Sequence, residues 1–372
     1  MNIAKVGLVI GRINPPHKGH KHLIQQALNE SDFVIVCLGS SHAARTPKNP
    51  FTSDERAEMI SMMFNDEDVK RLEFISVRDY LYSDTDWVME VRNQVKIAAV
   101  GITHGKFDKF EISLYGFEKD KSSSYLKWFP EWKYVTVEPF KIDEKIISAT
   151  HVRDCIFGAD MSGFWKYGSQ TFSPDEVKNV NLVERYCGRE QTQHMHKIFA
   201  SSESLFDNLN EWAEHVRDYK EKWKAAPYPP MFITCDPVVF CNGYVLTVTR
   251  GDNPGRHLLA LPGGFLEPDE TIEQGILREL REETKIDVPP KILKNSLKEI
   301  RVFDAPDRSS RGRTVTHAGL IVLDEPALPK VKAGSDAKHA QWIALERLPR
   351  LEAQFFEDHY YIIQTMMTIN KI

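Results

Sequence analysis

Apolar residues crowd the start of the chain, with Val6, Leu8, Val9 and Ile10 close together, and the run stops at Gly11. Short, β-branched and closed by glycine, it predicts a buried parallel strand over residues 3–10. Pro15 and Pro16 then precede a helical spacing of apolar positions from His22 to Leu28, so a helix begins near His17 and His20. A later strand is predicted over 135–138, followed by a helix that Ser148 or Thr150 can cap. Between 183 and 226, Phe199, Leu205, Leu209, Trp212, Val216, Tyr219 and Trp223 recur every three or four residues, which predicts helix until Pro227, Pro229 and Pro230 end it. Two apolar runs around Asn242 and Gly243 predict a hairpin. Finally Ile272, Ile276, Leu277 and Leu280 predict a helix with one apolar face.

Strands alternating with helices in the first half, and a β-rich stretch followed by helix in the second, indicate an α/β chain of two folded parts. We place the first at 1–182, a helical connector at 183–229 and the second part at 230–372. At 372 residues the chain exceeds a usual single domain, and 42% hydrophobic with 27% charged residues is an ordinary globular composition. No run approaches the roughly 20 apolar residues of a membrane span, and residues 1–5 lack the pattern of a secretory leader, so the expectation is a cytoplasmic protein with no membrane partner. The five cysteines lack metal-site spacing, and His194 and His196 read as surface residues. A net charge of -5 gives no general attraction to nucleic acid.

The predicted helix after the Pro262, Gly263 and Gly264 turn carries an electrostatic oddity. Glu279, Glu282 and Glu283 cluster away from its apolar face, and like charges at such spacings destabilise a helix by roughly 0.2–0.5 kcal/mol each. Arg278 and Arg281 could balance them on a solvated helix, or a divalent cation could reverse the sign. Five residues separate Gly264 from Glu270, and seven more lead to Arg278, Glu279, Leu280, Glu282 and Glu283. This arrangement resembles the Nudix box of hydrolases that cleave nucleoside diphosphates linked to another group. The resemblance covers roughly 230–372 as an α+β sandwich. It implies that Glu279 and Glu283 bind magnesium, with manganese as the alternative ion, that the carbonyl near Gly263 joins them, and that Glu282 is a ligand or a base. Lys285 departs from the family, which has glycine there to ease a left-handed helix exit. Downstream, Arg308, Arg311 and Arg313 beside Gly312 resemble the arginine stretch of ADP-ribose pyrophosphatase-like members, which implies recognition of ADP-ribose.

In the first half, His17 and His20 fall on the first turn of a helix whose free N–H groups attract anions. Arg153, one turn into the helix after Ser148 and Thr150, offers a planar fork for phosphate oxygens. The HxGH and ISxTxxR patterns resemble those of nucleotidyltransferases with a Rossmann-like domain, a parallel sheet with helices on both faces. Gly11 and Arg12, the stretch from Asn49 to Arg56, and Asp84, Trp87, Val88 and Val91 are similar to the archaeal-type nicotinamide-mononucleotide adenylyltransferases over roughly 1–180.

The resemblance implies that Arg12, His17, His20 and Arg153 handle ATP phosphates, that Ser148 and Thr150 support them, and that Trp87 stacks on nicotinamide, with a plain core role for Trp87 as the alternative. Arg56 orients a phosphate, caps the fold or forms a salt bridge. Asn14, which follows Ile13 where relatives have Phe-Gln, is expected to keep its contact. Lys119 and Asp120 either line the pocket or belong to a surface loop. Together the halves imply an enzyme that joins ATP and nicotinamide mononucleotide into NAD, and that hydrolyses ADP-ribose to AMP and ribose 5-phosphate. Nicotinate mononucleotide, NADH, or a second half that only senses ADP-ribose are the alternatives, and homo-oligomerisation is left open.

Overall fold

The computed structural model describes residues 3–102, 107, 109–117, 125–158, 174–202, 204–334 and 337–372. The chain divides into two compact units, Met1–Asn210 and Glu211–Ile372. In the first, β1 (Ile3–Gly11), α1 (Lys18–Glu30), β2 (Phe33–Leu38), α2 (Ser53–Ser61), α3 (Asp66–Val69), β3 (Leu72–Ser76), α4 (Asp84–Ile102), β4 (Lys109–Gly116) and β5 (Lys133–Thr136) lead to a small hairpin, β6 (Lys141–Ile142) and β7 (Lys145–Ile146). Helices α5 (Ala149–Ile156), α6 (Pro174–Cys187) and α7 (Arg189–Ala200) follow, and α8 (Leu205–Lys222) runs through the boundary between the units. No described helix is long and apolar enough to cross a membrane.

The five main strands of this unit are parallel in the order β3-β2-β1-β4-β5. Period-two alternation explains the two layers that cover them. Ala4, Val6 and Leu8 of β1 with Ile35 and Cys37 of β2 pack with Val88, Val91 and Val95 of α4. Val9, Val34, Val36 and Leu38 instead pack with Ile24, Ala27 and Leu28 of α1 and Ile60 of α2. Because the order reverses direction at β1 and β4, the loops leaving the carboxyl ends of these strands diverge and open a crevice there. Strand β5 begins two residues before the predicted 135–138, since its register with β4 ends where Gly116 meets Thr136. The helical stretch after 183 is broken at Gly188, whose φ of 112° suits glycine alone.

In the second unit, β8 (Met231–Cys241), β9 (Tyr244–Arg250), β10 (Leu259–Ala260), β11 (Gly264–Phe265), α9 (Ile272–Thr284), α10 (Pro290–Ser296), β12 (Leu297–Phe303), β13 (Arg313–Leu323), β14 (Ala337–Ala344) and α11 (His359–Asn370) build a mixed sheet. Strands β8 and β13 run parallel, and the other pairs are antiparallel. Asn242 and Gly243 both have positive φ, as the predicted tight hairpin requires. Cys235, Val239 and Cys241 of β8 meet Ile276 and Leu280 of α9 in one core, so Thr234 and Asp236 fall to other surroundings.

Lys285 closes α9 in the left-handed conformation, with φ 42° and ψ 39°, and donates its N–H to Arg281. The exit that glycine would ease is therefore kept by a lysine, at a cost of about 1 kcal/mol. Lys285→Gly is expected to raise the unfolding midpoint of the second unit by the equivalent of roughly 0.5–1 kcal/mol, read by calorimetry. A lower midpoint would show that the lysine side chain matters more than its backbone.

Candidate functional site

The carboxyl end of β1 gathers the first constellation. His17 caps α1, its Nδ1 accepting the Gly19 N–H at 3.1 Å, while His20 Nδ1 accepts the His17 N–H at 3.2 Å. An Nδ1 that accepts leaves the proton of a neutral ring on Nε2. The rings stack with centroids 3.7 Å apart, a distance at which two positive charges would repel strongly, and burial pulls the His20 imidazole down to about 3. Arg153 donates from Nη1 to the Asn14 carbonyl at 2.7 Å and from Nη2 to Thr150 Oγ1 at 3.0 Å. Burial, with Arg12 nearby, lowers Arg153 to about 10. Ser148 caps α5 by accepting the His151 N–H. The Arg12 guanidinium makes no hydrogen bond or ion pair among the described residues, which leaves it available to an anion at the strand end.

Two expected contacts lie elsewhere. Arg56 is 0% exposed and donates to the carbonyls of Thr52, Gly39 and Arg12, so it ties three backbone segments together and presents nothing to a phosphate. The Asn14 amide is likewise spent on the backbone of Phe51, donating at 2.8 Å and accepting at 3.3 Å. These bonds hold a strained turn, because Ile13, a β-branched residue, has φ 48° and Ser40 at the end of β2 has φ 52°. The Gly11 carbonyl accepts the Gly39 N–H, which joins the two strand ends. Trp87 is half-buried, with Tyr125, Trp128 and Phe129 ring centroids within 6 Å or so, and Tyr125 bonds to the Ile10 carbonyl. Lys119 and Asp120 lie outside the described residues.

The second constellation surrounds the turn before α9. Arg278 donates to Glu270 at 2.6 Å, to Glu279 at 2.7 Å, to Glu282 at 3.1 Å and to the Phe265 carbonyl at 3.0 Å. One guanidinium thus acts as counterion to three carboxylates. Glu283 accepts the Gly263 N–H at 3.1 Å, and a Cβ at Gly264 would stand 2.5 Å from Glu279 Oε1, so the turn lies directly against the acids. Burial, reinforced by Glu279, pushes the Glu283 carboxyl up to about 8, and burial pushes Asp236 up to about 6. Among the described residues no three His, Cys, Asp or Glu side chains are assembled as a ready metal site. The donor set nevertheless fits a hard divalent cation: Glu279 and Glu283 are oxygen donors whose burial penalises uncompensated charge, and the backbone beside them has no side chain in the way.

The three arginines of the downstream loop separate. Arg308 makes a bidentate pair with Asp358 at 2.9 and 2.7 Å, with side chains 2% and 0% exposed, so it braces α11 from the wall of the cleft that it also lines. Arg313 bonds to the Asp304 carbonyl at the start of β13. The Arg311 guanidinium reaches over the Phe265 ring in that cleft, beside Gly263 and Gly264.

Similarity to known proteins follows this division. Residues 8–155 match the Cytidylyltransferase-like family model, and residues 236–366 match the NUDIX domain model. A nicotinamide/nicotinic acid mononucleotide adenylyltransferase of Acinetobacter baylyi is 39% identical over 188 residues, 49% of this chain and 94% of that protein. An ADP-ribose pyrophosphatase of Methanocaldococcus jannaschii is 34% identical over 151 residues, 41% of this chain and 80% of that protein. The crystal structure of a bifunctional NMN adenylyltransferase/ADP ribose pyrophosphatase from Francisella tularensis, solved with AMP and a manganese ion, aligns with TM-score 0.82 and 33% identity over 99% of both chains. The chain belongs to this bifunctional family.

Several groups in its two sites carry no local sequence pattern. In the Nudix half, Arg250 at the end of β9 lies over the Phe356 ring at 4.2 Å and lines the cleft. His359 accepts the Leu261 N–H at 2.9 Å through Nδ1 and so steadies the turn that presents Gly263. Both reach the box across more than ten residues of chain, which periodicity and spacing do not see.

Two outcomes follow. Arg308→Met should cost about 3–5 kcal/mol in the Nudix half, because the buried Asp358 loses its guanidinium counterion, whereas Arg311→Ala should change stability by less than about 1 kcal/mol. Chemical denaturation of both variants decides it, and equal losses would contradict the separation. The neutral His20 contributes stability that is present above the unfolded pKa near 6.5 and is lost as pH falls from there toward 3. The adenylyltransferase half should therefore lose thermal stability between pH 7 and 5, and His20→Asn should flatten that slope.

Proposed function

We propose that the chain is a bifunctional enzyme of NAD metabolism. Its first site transfers AMP from ATP to nicotinamide mononucleotide, and its second hydrolyses ADP-ribose to AMP and ribose 5-phosphate. The observation that carries the reading is the whole-chain similarity to the Francisella tularensis bifunctional protein, with both motif sets at the mouths of their own sheets.

In the first site a phosphate oxygen of the mononucleotide attacks the α-phosphorus of ATP in line, forming one P–O bond as the bond to pyrophosphate breaks. No covalent enzyme intermediate is needed. The Nε2–H groups of His17 and His20 donate to phosphoryl oxygens, the N-terminus of α1 adds its dipole, and Arg12 and Arg153 offset the charge of the leaving pyrophosphate. Arg56 and Asn14 act through the backbone they hold, keeping Arg12 and His17 in position before substrate arrives. Trp87 offers an indole face to the cationic nicotinamide ring. The amide substrate is our assignment, with the acid form as the alternative.

In the second site Glu279, Glu283 and the backbone near Gly263 would hold magnesium, or manganese in its place. That ion supplies charge neutralisation of the diphosphate and a more acidic water. Glu282, whose side chain is 61% exposed, would take the proton of the attacking water, and Arg311 and Arg250, which line the cleft, would meet the diphosphate. We place both activities in the cytoplasm, where the five free thiols are in keeping with reducing conditions.

The Glu283→Gln variant should abolish AMP release from ADP-ribose while NAD synthesis continues, and His20→Ala should do the reverse. Chromatographic assay of both products from each full-length variant is the measurement. Loss of both activities in a folded variant would defeat the two-site reading, and a wild type that binds ADP-ribose without cleaving it would make the second site a sensor.

A further inference from the structure

The last turn of α9 carries Glu282 and Glu283 and ends in carbonyl groups with no partner inside the helix. Its exit through Lys285 is a strained left-handed conformation, so the turn is not held in place by its own chain. The segment between β13 and β14 supplies the missing donors. The Lys332 N–H donates to the Thr284 carbonyl at 2.8 Å, the Gly334 N–H donates to the Glu283 carbonyl at 2.9 Å, and the Asp287 N–H donates in return to the Lys330 carbonyl at 2.9 Å. Residues 330–334 thus form a strap laid backbone to backbone along 283–287. The strap has footings of its own. Trp342 of β14 donates from Nε1 to the Pro329 carbonyl at 2.8 Å, Val331 packs into the core that holds Leu280, Ile286 and Val288, and Ala333 packs into the other core with Val248 and Ala260. At Gly334 the two backbones come closest: a Cβ there would run into the Glu282 carbonyl oxygen and stand 3.0 Å from Glu283 Cα. Both are main-chain atoms, which cannot turn aside as a side chain can.

We propose that the strap sets the metal-binding turn of the hydrolase, with Gly334 as a positioning residue that holds the Glu282 and Glu283 backbone and so keeps the Glu283 carboxylate beside the Gly263 turn. The inference rests on the metal-dependent hydrolase reading given above. Glu279 lies one turn earlier, inside the regular helix, and its place is fixed by the helix itself. Glu283 stands where helix ends fray, and its carboxylate meets the Gly263 N–H at 3.1 Å only if that last turn keeps its position. The negative end of the helix dipole also falls on this turn, where two glutamates already concentrate charge. The Lys332 and Gly334 N–H groups are aimed at the carbonyls that carry it, so the strap offsets the dipole and fixes the geometry with the same bonds. A side chain at Gly334 has to lift the strap or shift the turn, and either change moves Glu283 relative to Gly263. The left-handed lysine is tolerated on the same account, since the strap supplies the hold that the exit lacks.

Full-length wild type, Gly334→Ala, Trp342→Phe and Val331→Ala are titrated with Mn2+ in the absence of nucleotide, the free ion being read by electron paramagnetic resonance. Glu283→Gln marks which binding belongs to the hydrolase. The same proteins are assayed for ADP-ribose cleavage over a range of Mn2+ concentrations. Gly334→Ala should weaken Mn2+ binding about tenfold and raise the Mn2+ needed for half-maximal cleavage by the same factor, with kcat at saturating Mn2+ within about threefold of wild type. Trp342→Phe, which releases the Pro329 footing and leaves the bonds to α9 in place, should shift both quantities in the same direction by about threefold. Val331→Ala should lower the unfolding midpoint through lost core contacts and leave Mn2+ binding within about twofold of wild type, which separates positioning from stability. If Gly334→Ala fails to fold, Trp342→Phe decides. Wild-type Mn2+ binding in Trp342→Phe or in a folded Gly334→Ala, a fall in kcat with unchanged Mn2+ dependence, or an equal weakening in Val331→Ala would overturn the role of the strap while leaving the hydrolase reading intact. Wild type without any Mn2+ binding that Glu283→Gln removes would overturn the metal-dependent reading itself.

Discussion

Holding Glu279 and Glu283 close together and largely out of water is the constraint around which the second unit is arranged. Either carboxylate alone would be costly to bury, and each makes the other worse, so burial raises both. The fold answers with fixed donors rather than with solvent. Arg278 gathers Glu270, Glu279 and Glu282, the Gly263 N–H meets Glu283, and the turn carrying Gly263 is steadied from α11 by His359. Such a cluster is tense without a cation and relaxed with one, which is the electrostatic form a metal-dependent hydrolase site requires. The buried Arg308 and Asp358 pair serves the same arrangement at one remove, since it fixes the start of α11 from which His359 projects.

The first unit reaches its chemistry through backbone strain instead of carboxylate repulsion. Ile13 and Ser40 take left-handed conformations at the ends of β1 and β2, where the sheet leaves its regular hydrogen bonding. Such conformations persist only where the surroundings over-determine them. Arg56, Asn14 and Arg153 do this by donating to main-chain carbonyls around the turn, so three polar side chains that look like phosphate ligands divide between scaffold and site. Arg12, whose guanidinium makes no hydrogen bond or ion pair among the described residues, is left as the uncommitted positive charge beside Arg153.

Much of both sites could be read along the chain because their chemistry is local. His17 and His20 are three residues apart on one helical turn, Ser148, Thr150 and Arg153 share another, and the glutamates of α9 lie within five positions. For such groups helix geometry alone places side chains together. The roles of Arg308, Arg311 and Arg313 were not legible in this way. They sit within six residues, and a loop has no period to say which of them turns inward, so a buried partner fifty residues away claimed the first and a neighbouring carbonyl claimed the last. Arg250 and His359 were invisible for a related reason: each owes its place to pairing and packing between distant strands and helices.

The sequence by itself therefore determined the parallel α/β first part, the β-rich second part, the helix start that carries His17 and His20, and the acidic helix, since alternation, caps and short fixed spacings specify them through local geometry. The tertiary structure decided which charges are free and which are spent. That decision depends on desolvation and on partners brought near by the fold, and neither is a property of any single stretch of chain.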